Sequence, residues 1–220
     1  MTNPLAPLTA TEIEKAVEIF RREHGDERAV FCSSGLDEPA KADVKAGSAV
    51  PRIVKFLGTD SVPDGGFEAY VNLAEDKVER LIRLGNDAQA PYGYYDLGVA
   101  VQLTKGNAEW LSAVKARGIA CDTEEDIERI QIDPWPAGGY AVDEIPVGHR
   151  AVRCIAFVRD DKTDNGYARP IHGLICHVDV TAGQVVRVED SGVIPMPPNP
   201  GRFDAAHQER MRTDLKDLEI

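Results

Sequence analysis

Residues 171–188 read IHGLICHVDVTAGQVVRV, and this stretch decides the fold class of the second half of the chain. Polar residues alternate in it with the valines Val178, Val180, Val186 and Val188. Such alternation is typical of antiparallel strands that bury one face and expose the other to water. The stretch therefore predicts strands at residues 171–180 and 184–188, and two apolar runs upstream predict further strands at residues 127–132 and 152–159.

Two helices are predicted before these strands. The first runs from about residue 92 to residue 105, and the positions that share one of its faces are Tyr94, Leu97 and Val101. The second begins after Asn107, which has the side chain of a good N-cap, and ends at Gly118. Helices that precede a meander of antiparallel strands form a small α+β domain.

The first half of the chain repeats this order of elements. Thr9 and Glu12 have the spacing of a capping box that begins a helix. Gly25 can end that helix in the left-handed conformation. Strand-like runs follow at residues 29–36, 53–59, 67–73 and 77–84. Residues 41–49 are rich in Ala, Lys and Asp without periodicity, so a mobile loop is predicted there.

The predicted fold class is therefore α+β, with two small domains that each pack one or more helices on an antiparallel sheet. The pattern changes around residues 85–91, which places the domains at residues 1–88 and 89–200. Residues 201–220 form a tail that is polar until its last few positions. Its apolar residues are expected to dock on another body, since a terminal segment of this kind is usually held by packing; they are Leu215, Leu218 and Ile220.

Composition limits the classes of partner. A net charge of −12 argues against nucleic acid, because phosphate binding needs clustered Lys and Arg. No apolar run approaches the roughly 18 residues that would span a bilayer, and no basic-then-apolar leader begins the chain. We expect a cytoplasmic protein that binds neither nucleic acid nor membrane.

Cysteine and histidine positions predict no metal site. None of the four cysteines belongs to a Cys-x-x-Cys pair, and each is interpreted as a buried apolar residue. Cys154 and Cys176 fall opposite each other if their strands pair, which leaves a disulfide open as an alternative. His172 and Cys176 share a strand face but lie roughly 13 Å apart, and His177 points to the other face. Phosphate-loop, nucleophile-elbow and zinc-helix motifs are absent from the sequence, so nothing in it favours an independent hydrolase or metalloenzyme.

Three segments carry a resemblance to a known family. They are DPWPAG at residues 133–138, FVRDDKTDNGYARP at residues 157–170 and VRVEDSGV at residues 186–193. Together with RTDLK at residues 212–216, they resemble the small domains that precede the catalytic core of copper-containing primary-amine oxidases. The resemblance is specific in this region and looser before Gly85. It implies two cystatin-like α+β domains without the core.

The resemblance also implies which parts of the enzyme this chain lacks. The core of that family holds copper on three histidines, two of them in a His-x-His pair, and a topaquinone made from the tyrosine of an Asn-Tyr-Asp/Glu motif. Neither pattern occurs in this sequence. No copper ligand, quinone precursor or catalytic base can therefore be carried over, and copper and topaquinone are expected only in the missing core.

The positions that match the mouth of the family's substrate channel are Leu97, Trp135 and Tyr167. Independently of the resemblance, large aromatic residues on loops either line a binding surface or cover the edge of a core. The resemblance implies a non-catalytic part or subunit of an enzyme that converts primary amines to aldehyde, ammonia and hydrogen peroxide. Its implied partner is an amine oxidase catalytic domain or chain, with a dimer formed through it. The alternative is a freestanding binding module without enzymatic activity.

Overall fold

The computed structural model describes residues 3–25, 27, 29–60, 66–85, 88–138, 142–161, 163–202 and 205–207. Its first helix, α1 (Ala10–His24), has the predicted caps. The Glu12 amide donates to the Thr9 hydroxyl oxygen over 3.3 Å, and the Thr9 amide donates to the Glu12 carboxylate over 2.8 Å. Gly25 ends α1 with a φ of 65°, which only glycine adopts without strain.

An antiparallel sheet with the strand order β1-β2-β3-β4 follows α1. Its strands are β1 (Val30–Leu36), β2 (Ile53–Thr59), β3 (Gly66–Asn72) and β4 (Lys77–Arg83). The buried face of α1 packs on one side of this sheet, and the largest fully buried side chains of that core are Ile19, Phe20, Phe56 and Phe67. The predicted order of one helix followed by an antiparallel meander is confirmed.

A short helix, α2 (Lys41–Ala46), replaces most of the loop predicted at residues 41–49, so that prediction was wrong. Ala and Lys are strong helix formers, and Gly47 ends the helix with a φ of 67°. No residue of α2 is buried. The helix therefore needs no apolar periodicity, which is why the pattern did not predict it.

A second antiparallel sheet has the strand order β5-β6-β7-β8. Its strands are β5 (Ile130–Pro136), β6 (Ala151–Val158), β7 (Leu174–Asp179) and β8 (Gln184–Asp190), and the helices before it are α3 (Tyr94–Lys105), α4 (Ala108–Ala116) and α5 (Glu124–Glu128). The α+β fold class is thereby confirmed for both halves of the chain. Asn107 caps α4 as predicted, accepting from the Trp110 amide over 2.8 Å.

Two details of the second half differ from the prediction. Ile127 lies in α5 and not in a strand, because Thr123 and Asp126 form a capping box that begins a helix there. The buried face of α3 is formed by Asp96, Ala100 and Thr104. Tyr94, which was predicted to share a face with Leu97 and Val101, is 94% exposed.

The chain divides into two compact units, each with one of the sheets. One contains the described residues up to Gly98 together with Pro146–Arg150, and the other contains Val99–Ile145 and the described residues from Ala151 onward. The domain limits at residues 88 and 200 stay predictions. Within the described part of the chain, no helix combines the length and the apolar character needed to cross a membrane.

Cys154 and Cys176 are directly opposite each other on β6 and β7, as the pairing of those strands predicted. Both are free thiols in the buried core of the second unit. Burial raises the pKa of Cys154 to about 12 and also raises the pKa of Cys176. Both groups are therefore neutral small apolar residues at neutral pH.

Candidate functional site

The second sheet has an apolar face and a more polar face. Side chains that alternate along β6 and β7, such as Cys154 and Val178, are buried on the apolar face. The Cys154 thiol lies 3.8 Å from the Ala100 carbonyl oxygen in α3, which places that helix over this face. The opposite face, which we call the outer face, carries Trp135 and Arg153 as a cross-strand pair.

Trp135 stands on the outer face near the end of β5, and it is 59% exposed. Asp133 precedes it by two residues, and side chains two apart on a strand share a face. Both flanking prolines, Pro134 and Pro136, belong to β5, which is an edge strand. Proline is tolerated at the edge of a sheet, where one side of the strand needs no ladder hydrogen bonds.

Tyr167 reaches the same face from a 3-10 turn, Gly166–Ala168. The Asn165 side chain begins this turn by accepting from the Tyr167 amide over 2.9 Å. The Tyr167 ring packs edge-on against Phe157 of β6, with ring centroids 4.9 Å apart, and the residue remains 58% exposed.

Glycine at position 166 allows the turn to lie directly on the sheet. A Cβ built there would lie 2.9 Å from the Phe157 Cβ and 3.0 Å from the Gln131 side-chain oxygen. Real Cβ atoms do not approach other atoms so closely, so any larger residue would push the turn away from β6. The position of Tyr167 therefore depends on Gly166.

Asp133 joins the two aromatic residues into one surface. A hydrogen bond to the Asp133 carboxylate, together with its negative charge, raises the pKa of the Tyr167 hydroxyl. The Gln131 amide donates to the same carboxylate over 3.2 Å. Asp133, Trp135 and Tyr167 thus form one patch on the outer face, which we call the aromatic–acid surface.

The sequence-predicted site residues are placed as follows. Trp135 and Tyr167 come together on the aromatic–acid surface, whereas Leu97 is half-buried in α3, in the first unit. The predicted docking residues Leu215, Leu218 and Ile220 lie outside the described residues. The roles of all these residues stay predictions.

Asp133 was not identified as a site residue from the sequence. One signal was available, because its spacing of two from Trp135 places both side chains on one face of a strand. Its hydrogen bond with Tyr167 depends on the turn at residues 166–168, which sequence pattern does not predict.

The surface offers two aromatic faces beside a carboxylate. Aromatic rings attract cations through their quadrupole, and a carboxylate forms charge-assisted hydrogen bonds with ammonium groups. This combination suits an alkylammonium ion.

Over the residues that the structure describes, no three His, Cys, Asp or Glu side chains are grouped so as to hold a metal ion. His172 precedes β7, and His177 alternates with Cys176 along that strand.

No protein-family model matches the chain. Along 100% of its length, the chain is 33% identical to a copper methylamine oxidase of Arthrobacter sp. (strain P1), of which it covers 33%. Along 99% of its length it is 29% identical to the histamine oxidase of Arthrobacter globiformis, of which it covers 32%. The chain is a sequence relative of the copper amine oxidases. The resemblance read from residues 133–193 is thereby confirmed.

The fold agrees with this relationship. The structure matches a crystal structure of a copper-containing benzylamine oxidase from Hansenula polymorpha with a TM-score of 0.74 and 13% identity, over 100% of this chain and 36% of that one. At this identity the match shows the fold alone. The chain spans about a third of the length of the copper amine oxidases it matches.

Proposed function

We propose that this chain is the non-catalytic, channel-forming part of a copper amine oxidase. The remaining two-thirds, on the same polypeptide or on a partner chain, would hold the copper and the topaquinone and would form the dimer. The full-length similarity to oxidases about three times as long supports this assignment. So does the sequence, which contains neither a His-x-His pair nor an Asn-Tyr motif.

The observation that carries the proposal is the aromatic–acid surface. Trp135 and Tyr167 are large, more than half exposed, and held in place by β5 and by the turn on Phe157. Exposed aromatic residues held rigidly by their backbone are typical of binding surfaces. In this proposal they line the mouth of the substrate channel together with Leu97, while Leu215, Leu218 and Ile220 dock on the catalytic part.

The surface would act on substrate capture and not on the chemical step. Protonated primary amines are cations, and the net charge of −12 attracts them toward the protein. Asp133 then offers a local anionic acceptor, and the two rings offer π faces and apolar contact for the substrate side chain. The amine passes this surface before it reaches the cofactor.

Steady-state kinetics of the oxidase that contains this chain test the proposal. Asp133→Asn is expected to lower kcat/KM for methylamine and benzylamine alike by about threefold to tenfold at low ionic strength, with kcat retained, because it removes an attraction and no reacting group. Trp135→Ala is expected to change the ratio of kcat/KM for benzylamine to that for methylamine, since only benzylamine adds apolar side-chain contact with the ring.

Val193→Ala is the matched control. Val193 is 61% exposed, close to the 59% of Trp135, but it follows β8 at the opposite edge of the sheet. We expect its kinetics to equal those of the unmodified enzyme. An unchanged benzylamine-to-methylamine ratio in both Trp135→Ala and Tyr167→Ala would rule out the channel role. Activity of the catalytic part that does not depend on this chain at all would favour the freestanding binding module.

A further inference from the structure

A cavity of about 190 Å³ lies in the second unit, and its lining does not include Asp133, Trp135 or Tyr167. Three arginines line it, Arg129, Arg159 and Arg169, together with the two aspartates Asp126 and Asp160. A volume of this size has room for several waters or one small organic ion.

The charges in this cavity do not cancel. Asp126 pairs with Arg129, and Asp160 pairs with Arg169 at 2.6 Å. Arg159 instead donates to the carbonyl oxygens of Glu128, at 2.7 Å, and Arg129, at 3.5 Å. Carbonyl oxygens satisfy donors but carry no formal charge. The lining residues therefore have an excess of one positive charge, in a chain whose total charge is −12.

Arg169 contributes a buried donor to the lining residues. Only 9% of this residue is exposed, and one of its terminal nitrogens is held by Asp160. Its Nε–H is buried and has no hydrogen-bond partner in the structure. A buried donor without an acceptor is costly, so native proteins place water or a ligand beside it.

The rest of the lining is apolar. Ile119, Val158 and Met196 contribute hydrocarbon and thioether surface to the same cavity. Met196 lies between two prolines, and of residues 191–200, all of which are described, it is the one that is not exposed. The extended segment after β8 thus places one side chain in this cavity and leaves its neighbours in water.

We infer that this cavity binds a small aliphatic carboxylate. The planar fork of a guanidinium matches the two oxygens of a carboxylate, and Arg is preferred over Lys for such recognition. The excess charge on Arg159 and the unpaired Nε–H of Arg169 supply the anion contacts. The apolar side chains of the lining pack against the short alkyl group of the carboxylate, and an inorganic oxyanion has no such group. This site is independent of the proposed channel role.

The methyl resonance of Met196 tests the inference in the 220-residue chain labelled with ¹³C-methyl methionine. Sodium propionate replaces sodium chloride at constant ionic strength during the titration. We expect the Met196 signal to shift saturably with a dissociation constant on the order of 1 mM, as is reasonable for so few ligand atoms. Propionamide, the neutral analogue, should give no saturable shift, and inorganic phosphate should bind more weakly than propionate.

Two variants complete the experiment. Arg159→Gln removes the unmatched charge and is expected to weaken propionate binding about tenfold. Arg187→Gln is the matched control, since Arg187 lies on the outer face of the same sheet, pairs with Glu144 and does not line the cavity. Its affinity for propionate should be unchanged.

Three outcomes would overturn the inference: no saturable shift with propionate, equal binding of propionamide, or tighter binding of phosphate. The ligand series uses the unmodified chain, so it remains decisive even if Arg159→Gln is poorly folded.

Discussion

Asp96 and Arg150 form a buried ion pair in the first unit, and replacement of Asp96 tests how much that unit depends on it. Two Arg150 nitrogens lie 3.1 and 2.8 Å from the two carboxylate oxygens, so the pair is bidentate. The same guanidinium donates to the carbonyl oxygens of Ala90 and Pro91, over 3.0 and 3.1 Å. The two charged residues are both more than 90% buried.

Asp96→Ala removes both charge-assisted bonds and the bond from the Gly93 amide to the carboxylate, at 2.8 Å. The Arg150 guanidinium keeps its carbonyl acceptors and its contact with the face of the Tyr92 ring, whose centroid lies 4.1 Å away. A buried cation that loses its counter-ion is strongly destabilising. We expect the free energy of unfolding to fall by about 3–5 kcal/mol, measured by urea unfolding followed by circular dichroism.

Two comparisons make this prediction refutable. Arg187→Gln breaks the pair with Glu144 at 3.5 Å, in which both side chains are about 40% exposed, and it should cost less than about 1 kcal/mol. The double variant Asp96→Leu, Arg150→Met removes both charges and should be more stable than Asp96→Ala alone. A cost below about 1 kcal/mol for Asp96→Ala, or a double variant less stable than it, would contradict the reasoning.

Three further predictions concern local features. Gly166→Ala should lower the free energy of unfolding by about 1–3 kcal/mol, because the new Cβ would lie 2.9 Å from an atom of the sheet. Gly98→Ala has open space around it in α3 and should raise the free energy of unfolding by about 0.5–1 kcal/mol. Thermal unfolding of the two variants distinguishes these outcomes. A hydrogen bond from Arg52 lowers the pKa of the Glu12 carboxyl from 4.5 to about 2. The contribution of ionised Glu12 to the free energy of unfolding is therefore complete above pH 4.5 and is lost as the pH falls through 2. The stability advantage over Glu12→Gln should therefore shrink across that window in an acid titration, and a constant difference down to pH 2 would contradict it. Cys154, whose pKa burial raises to about 12, should react with iodoacetamide much more slowly than the half-buried Cys32, and mass mapping that finds equal rates would show the core to be open.

The parts of the fold that sequence predicted are those determined by near neighbours. Both ends of α1 depend on Thr9, Glu12 and Gly25, each of which acts within four residues of the helix end it shapes. The strands likewise follow from apolar or alternating patterns within single segments, and six of the eight were placed to within one or two residues. The exceptions are β5 and β7. A helix that begins after Thr123 overlaps the start of the predicted strand 127–132, and β5 runs on to Pro136. β7 begins three residues later than predicted.

The parts that sequence did not predict depend on distant or absent partners. Asp96 is buried in α3 because Arg150, far along the chain, neutralises it, and no local pattern predicts that pairing. No residue of α2 is buried, so the helix has no apolar stripe for a sequence pattern to show.

The candidate site likewise combines residues that local sequence identified with a contact that it did not. Trp135 and Tyr167 were selected as large aromatic residues on loops; for Trp135 the loop was wrong, because the residue lies in β5 between two prolines. Asp133 contacts Tyr167 only because the turn after Asn165 folds back onto β5 and β6. Gly166 is the local residue that allows this close approach.

The two prolines of β5 have a consequence for self-association. The Ala137 amide donates to the Ala151 carbonyl over 3.0 Å, so alternate amides of β5 point toward β6. Pro134 and Pro136 occupy the intervening positions, whose amides would point away from the sheet, and proline has no amide hydrogen. The open edge of β5 therefore lacks two of the donors that a strand from another molecule needs for pairing. The prolines therefore oppose the addition of a foreign strand at this edge of the second sheet.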